Sequence, residues 1–202
     1  MELYFSPFAC SLAAHMVARE AEIEIELRQV KLKSKLLNDG TDFQSISPKG
    51  QVPALILENG QVLTESVAVL PYLASLKPEA GLMPEQGSPE YFQVLEWLSY
   101  ISTEMHKRIF YPIFWLDEHH AQKALEAAPE RLEHVAKAIE NKTYLVGNRY
   151  CVADAFLCWW LILAPRAGID LKPYPNLLEY KHRCAGREKS AAAIAYEKKL
   201  LD

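Results

Sequence analysis

The spacing of apolar residues changes character once along this chain, and that single change limits what the chain can fold into. Before it, strand and helix patterns alternate. Glu2 to Phe5 is a short apolar strand that Ser6-Pro7 breaks, and Ser11 to Ala21 carries Leu12, Met16 and Val17 at helical spacing. Ile23 to Leu32 alternates almost strictly, with Ile23, Ile25, Leu27 and Val30 interleaved by Glu and Arg, which is the period-2 mark of a strand. These segments predict a βαβ unit. Two further strands, Ala54 to Leu57 and Gln61 to Leu63, flank Glu58-Asn59-Gly60. Asn-Gly between apolar runs predicts an antiparallel hairpin, because both central turn residues need positive φ. Thr64-Glu65-Ser66 then opens a helix that reaches about Leu76, with Thr64 as its cap.

From Lys77 to Pro89 the chain turns to Pro, Gly and polar residues, a linker composition. Beyond it every long segment has a helical period: Tyr91 to Phe110, Ala121 to Glu140, Val152 to Ala164, Asn176 to Cys184 and Lys189 to Leu200. The expected organisation is an α/β domain over residues 1–78, a linker over 79–87 and an all-α domain over 88–202.

Charge and cysteine usage narrow the function classes. Against 26 Asp and Glu stand 22 Lys and Arg, a formal net charge of -4 with a pI near 5.9. That balance is too acidic for a generic binder of phosphate backbones, so nucleic acid is not an expected partner. The longest apolar run, Ala155 to Pro165, is well below the roughly 18 residues a membrane span needs and reads as a buried helix. Met1 is followed by Glu2-Leu3-Tyr4-Phe5 rather than a basic segment and an apolar run, so the expected compartment is the cytosol, with no membrane partner. The 4 cysteines, Cys10, Cys151, Cys158 and Cys184, form no Cys-x-x-Cys pair, which argues against a disulfide framework and against bound metal.

Four features carry candidate chemistry, and each has a plainer alternative. Cys10 lies between a loop containing Pro7 and the first turn of a helix, where free N–H groups and the helix dipole favour a thiolate; the alternative is a small buried hydrophobe. Val52-Pro53 is either a simple strand-start breaker or a cis bond that turns the Val52 N–H and C=O toward an extended peptide. Glu65 and Ser66 suit the ammonium and carboxylate of an amino-acid zwitterion, or merely begin a helix. Ser99, Thr103, His106 and Lys107 form one polar stripe, with Leu98, Ile101, Met105 and Ile109 on a separate apolar one. That polar stripe is either a solvated face or part of a site that includes Cys10.

At these residues the chain resembles the bacterial beta class of cytosolic glutathione transferases. The carriers are Leu3-Tyr4-Phe5-Ser6-Pro7 leading to Ala9-Cys10-Ser11-Leu12, Ser47-Pro48-Lys49-Gly50-Gln51-Val52-Pro53-Ala54-Leu55, and Leu63-Thr64-Glu65-Ser66. Leu95-Glu96-Trp97, Glu104-Met105-His106-Lys107 and Val152-Ala153-Asp154-Ala155 continue the match. The resemblance implies a thioredoxin-like N-terminal domain, an all-α second domain and a homodimer, with glutathione as co-substrate at the domain and subunit boundary. It implies that Cys10 faces the glutathione sulfur with His106 and Lys107 beside it, that Val52, next to Pro53, pairs through its backbone with the cysteinyl unit, and that Glu65 and Ser66 hold the γ-glutamyl end. Lys35 is implied near the glycyl carboxylate, and Ser99, Thr103 and Glu104 on glutathione from the neighbouring subunit.

Several residues depart from the pattern. Phe5 stands where many relatives have tyrosine, Ser99 replaces asparagine, and Cys151 stands at a Ser or Thr cap whose helix start Asp154 can still serve. Phe8 stands where glycine is frequent, which implies a backbone there that avoids positive φ. The activity implied is conjugation of glutathione to small electrophiles, a detoxification chemistry, or disulfide exchange through Cys10. Because Ala13 follows where a resolving cysteine would stand, glutathione must supply the second thiol. The rival reading is a non-catalytic ligand carrier or interaction protein on the same fold.

Overall fold

The computed structural model describes residues 1–201. Contacts group 1–82 with the described residues from 187 onward as one compact unit, and 83–186 as a second.

The first unit is built on a mixed five-stranded sheet in the order β3-β2-β1-β4-β5. Its strands are β1 (Glu2–Phe5), β2 (Glu26–Lys31), β3 (Leu36–Leu37), β4 (Ala54–Ile56) and β5 (Val62–Thr64), with α1 (Ser11–Glu20) between β1 and β2 and α2 (Ser66–Ser75) after β5. β1 and β2 are parallel and the other pairs antiparallel, so the βαβ unit and the hairpin read from the sequence are both present. β2 starts later than its alternation suggests, because Glu26 is the residue opposite Glu2, where β1 begins. The two-residue β3 has no period long enough to read in sequence.

β1 is buried on both faces, as a strand inside a sheet covered on two sides must be. Tyr4 stacks on Phe43 at 5.5 Å within a cluster that includes Val30, Val52 and Ala54. Phe5, on the opposite side by the period of two, lies between His15 and Tyr196.

The last helix, α8 (Glu188–Lys198), packs against α1 in this first unit. The sequence reading assigns it to the second domain by its helical period, whereas it groups with the first unit and packs on α1. Arg187 forks onto both carboxylate oxygens of Glu20 at 3.0 and 2.7 Å, Ser190 Oγ donates to Glu20 Oε1 at 2.8 Å, and Lys189 pairs with Glu22 at 2.8 Å. At the far end of α8 the fully buried Glu197 meets His15 of α1, whose Nδ1 lies 3.0 Å from Glu197 Oε1.

The second unit is helical: α3 (Pro89–Tyr100), a π-helical segment (Ile101–Phe110), α4 (Tyr111–Trp115), α5 (Glu118–Ala138), α6 (Val152–Leu163) and α7 (Pro175–Ala185). Ser88 Oγ accepts the Tyr91 N–H to cap α3, and Asp117 caps α5 by accepting the His120 N–H. The single helix expected from Tyr91 to Phe110 changes form midway: its hydrogen bonds widen to i→i+5, as in Tyr111 N–H to His106 O. Along this segment Ile101, Met105 and Ile109 are fully buried.

α6 is buried from Val152 to Leu161 and packs through aromatics, with Phe110 stacked on Trp160 at 4.5 Å and Phe156 on Trp159 at 5.4 Å. Asp154 accepts the Cys151 N–H at 2.8 Å and the Leu145 N–H at 2.9 Å, and also the Tyr180 hydroxyl. Cys151 at the cap position is thus served by Asp154, as expected. Among the described residues, no helix is long and apolar enough to cross a membrane.

Candidate functional site

Cys10 is the N-cap residue of α1, at the end of a tight turn in which the Ala9 N–H reaches Ser6 O and Leu12 N–H reaches Ala9 O. Its side chain is half-buried, and the thiol donates to the Val52 carbonyl with Sγ and O 3.0 Å apart. Two opposing effects act on this sulfur. The helix start favours negative charge, whereas the bond to Val52 O is available only while the proton stays on sulfur. Val52-Pro53 is a cis peptide bond rather than a simple strand-start breaker.

The turn before Cys10 corrects one expectation. Phe8 adopts φ +59, the left-handed conformation that a non-glycine residue was expected to avoid. The Phe8 N–H donates to Glu197 Oε2 at 2.8 Å, so the C-terminal helix holds the strained turn in place. The other Glu197 oxygen takes the His15 Nδ1–H, while Arg19 Nε donates to His15 Nε2 at 3.4 Å, so the ring links the buried carboxylate to Arg19. Sequence reading missed Glu197. The only signal is that Ser190, Ala193 and Glu197 share one helical face, and small alanines on all sides of α8 hide which face is buried.

Glu65 and Ser66 lie at the junction of β5 and α2. Thr64 is not the helix cap expected from sequence: the β4–β5 ladder pairs Thr64 with Ala54, so the strand continues through it and Glu65 becomes the residue before the helix. Glu65 has φ +70, makes no capping bond and accepts Lys49 Nζ at 2.8 Å on Oε1. Lys49 also donates to Thr64 Oγ1 at 2.9 Å. Ser66 is the first residue of α2, where the N–H has no partner within the helix.

Lys35, also at positive φ, spans the loop before Pro53 and donates from Nζ to Gly50 O at 2.7 Å. Gly50 is needed there: at φ +56 an added Cβ would also press on Gln44 Cγ at 3.3 Å and Lys35 Cδ at 3.4 Å.

The remaining candidates belong to the second unit. Ser99 is the penultimate residue of α3, and Thr103 Oγ1 donates to Ser99 O at 3.0 Å. Glu104 accepts from Arg131 at 3.2 Å and stands 3.6 Å from Arg108. His106 meets Trp159 edge-on at 4.9 Å, and the exposed Lys107 places Nζ 5.2 Å above the Tyr111 ring. Leu98, Ile101, Met105 and Ile109 are fully buried, so the two stripes separate as read.

The other three thiols have no comparable setting. Burial pushes Cys151 well up, Cys158 up to about 12 and Cys184 upward, with nearby Asp154 raising all three further. Among the described residues, no group of three or more His, Cys, Asp or Glu is placed to hold a metal ion.

Known proteins resemble this chain in sequence and fold over nearly its whole length. Residues 5–76 match the family model of the glutathione S-transferase N-terminal domain, and residues 93–188 that of the C-terminal domain. The chain is 36% identical over 199 residues to glutathione S-transferase GstA of Escherichia coli O157:H7, covering 98% of each chain. It is similar to the solved structure of a bacterial beta class glutathione S-transferase of Sphingomonas chungbukensis, at TM-score 0.93 and 36% identity over 98% of each chain. A sphingomonad glutathione S-transferase complexed with glutathione matches equally well, at TM-score 0.93 and 36% identity over 98% of this chain and 99% of that one. The thiol at the head of α1, the main-chain edge at Val52 and the acidic turn before α2 are therefore features of a chain that belongs to the glutathione S-transferase family, as an enzyme of beta-class type.

Proposed function

We propose that the first unit binds glutathione in extended form, with its sulfur next to Cys10, and that the protein transfers the glutathione thiol to small electrophiles. The observation that carries this reading is the Cys10 thiol 3.0 Å from the Val52 carbonyl. A peptide whose cysteinyl unit pairs with the Val52 backbone, as an added strand does, brings its own sulfur to that thiol. Glu65 then takes the γ-glutamyl ammonium, the free Ser66 N–H takes its carboxylate, and Lys35 serves the glycyl carboxylate. The resemblance assigns Ser99, Thr103, Glu104, His106 and Lys107 to the same ligand, the first three from a partner copy in a homodimer.

In conjugation, the glutathione thiolate attacks the electrophilic carbon and the leaving group departs with the electron pair, leaving a thioether. In disulfide exchange, the Cys10 thiolate attacks a mixed disulfide of glutathione, forming a Cys10–glutathione disulfide and releasing the substrate thiolate. A second glutathione then restores Cys10 and leaves as oxidised glutathione. The second reaction is favoured by the half-buried sulfur of Cys10 and by Ala13, which excludes an internal resolving thiol.

Calorimetric titration with glutathione, then assays with a halonitrobenzene and with a mixed disulfide, separate the readings. Binding with turnover is the expected result; binding without turnover makes the protein a carrier, and no binding removes the site. Intact-mass analysis after incubation with oxidised glutathione should show one adduct, formed as one glutathione leaves as the free thiol, and Cys10→Ala should abolish it. A monomeric mass in solution would remove the cross-subunit roles of Ser99, Thr103 and Glu104.

A further inference from the structure

We infer that Lys49 is the internal counter-ion of Glu65 and that the γ-glutamyl ammonium of a bound peptide displaces it, so that Lys49 sets how strongly the protein prefers peptides with a free α-amino group. This rests on the proposed glutathione site and names one residue that tunes its selectivity.

The geometry is that of a resident ammonium on the carboxylate. Lys49 Nζ stands 2.8 Å from Glu65 Oε1 and 2.9 Å from Thr64 Oγ1, which uses two of its three N–H donors on the very turn that leads into α2. Neither end is free to wander. Glu65 sits at φ +70 without a helix-capping role, so its side chain is aimed by the turn. Lys49 comes from a loop braced on both sides, by Gly50 N–H to Ser47 O and by Lys35 Nζ to Gly50 O.

A ligand ammonium presents the same charge and the same donors. Two ammonium groups on one carboxylate repel at this range, so the ligand and Lys49 compete. The side chains are 54% and 51% exposed, which makes the exchange one exposed ion pair for another. Such pairs contribute little, and the competition is worth about two- to fivefold in affinity.

The consequence is a selectivity that Lys49 compresses. A peptide lacking the α-amino group leaves Lys49 in its place and Glu65 neutralised; a peptide carrying it must first evict Lys49. The test is calorimetry on wild-type protein and Lys49→Met, with glutathione and with a des-amino analogue whose γ-glutamyl group is replaced by glutaryl. Lys49→Met should bind glutathione about two- to fivefold more tightly and the analogue no more tightly than wild type does, widening the ratio between them. In a Glu65→Gln background the same substitution should leave that ratio unchanged. An unchanged ratio with Glu65 present, weaker glutathione binding by Lys49→Met, or equal widening in the Glu65→Gln background would each overturn the inference. Failure of the site itself looks different, since wild type then gives no heat with glutathione at all. Lys49→Gln, carried through the same titrations, guards against an effect peculiar to methionine.

Discussion

Replacing Glu197 with alanine should destabilise the first unit far more than its position near the chain end suggests. Glu197 and His15 are both 0% exposed, and the carboxylate accepts two donors, the Phe8 N–H at 2.8 Å and His15 Nδ1–H at 3.0 Å. A hydrogen bond to a charged group contributes about 1.5–3 kcal/mol, and a buried donor left without an acceptor loses its share in full. Two such bonds give about 3–6 kcal/mol, a large part of the roughly 5–15 kcal/mol that holds a domain folded. The left-handed turn at Phe8, φ +59, stores about 1–2 kcal/mol more that Glu197 now holds in check.

The assay is urea unfolding of wild type, Glu197→Ala and Glu197→Gln, together with the rate at which iodoacetamide labels Cys10. Glutamine keeps one acceptor oxygen and should lose about half as much as alanine. Because Phe8 lies two residues before Cys10, labelling of Cys10 should accelerate in Glu197→Ala under conditions where the protein remains folded. A loss below about 0.5 kcal/mol with unchanged labelling, the range of an ordinary surface substitution, would refute the idea that α8 positions the turn.

The thiols give a second expectation. Burial raises the Cys158 thiol to about 12 and raises those of Cys151 and Cys184, so at pH 8 the folded protein should take up one iodoacetamide, at Cys10, and in denaturant four; two or more in the folded state would refute it. Since these folded values lie above the unfolded ones, their stabilisation is complete below about pH 9 and is lost as pH rises toward 12, which thermal melts across that window should register. Asp154→Ala strands the Leu145 and Cys151 N–H groups and the buried Tyr180 hydroxyl and should cost about 3–5 kcal/mol, read as a lowered urea midpoint. Gly50→Ala should cost about 1–2 kcal/mol, because the strain is in the backbone at φ +56 while the Gln44 and Lys35 side chains can give way; an unchanged midpoint would contradict it.

What the sequence determined by itself is the local order: a βαβ unit, an Asn-Gly hairpin, a thiol at the head of the first helix, Val52-Pro53 at a strand start and a purely helical second part. Each depends on residues within a few positions of one another, where period, turn chemistry and dipole act directly. Tertiary structure decided the rest. It brought Cys10 onto the Val52 carbonyl across 42 positions, tied Lys49 to Glu65 across 16, and joined Phe8 to Glu197 across 189. It also gave Phe8 the conformation that local sterics disfavour and assigned α8 to the first unit. Those outcomes depend on which donors find acceptors once the chain has closed on itself, and no window of neighbouring residues contains both partners.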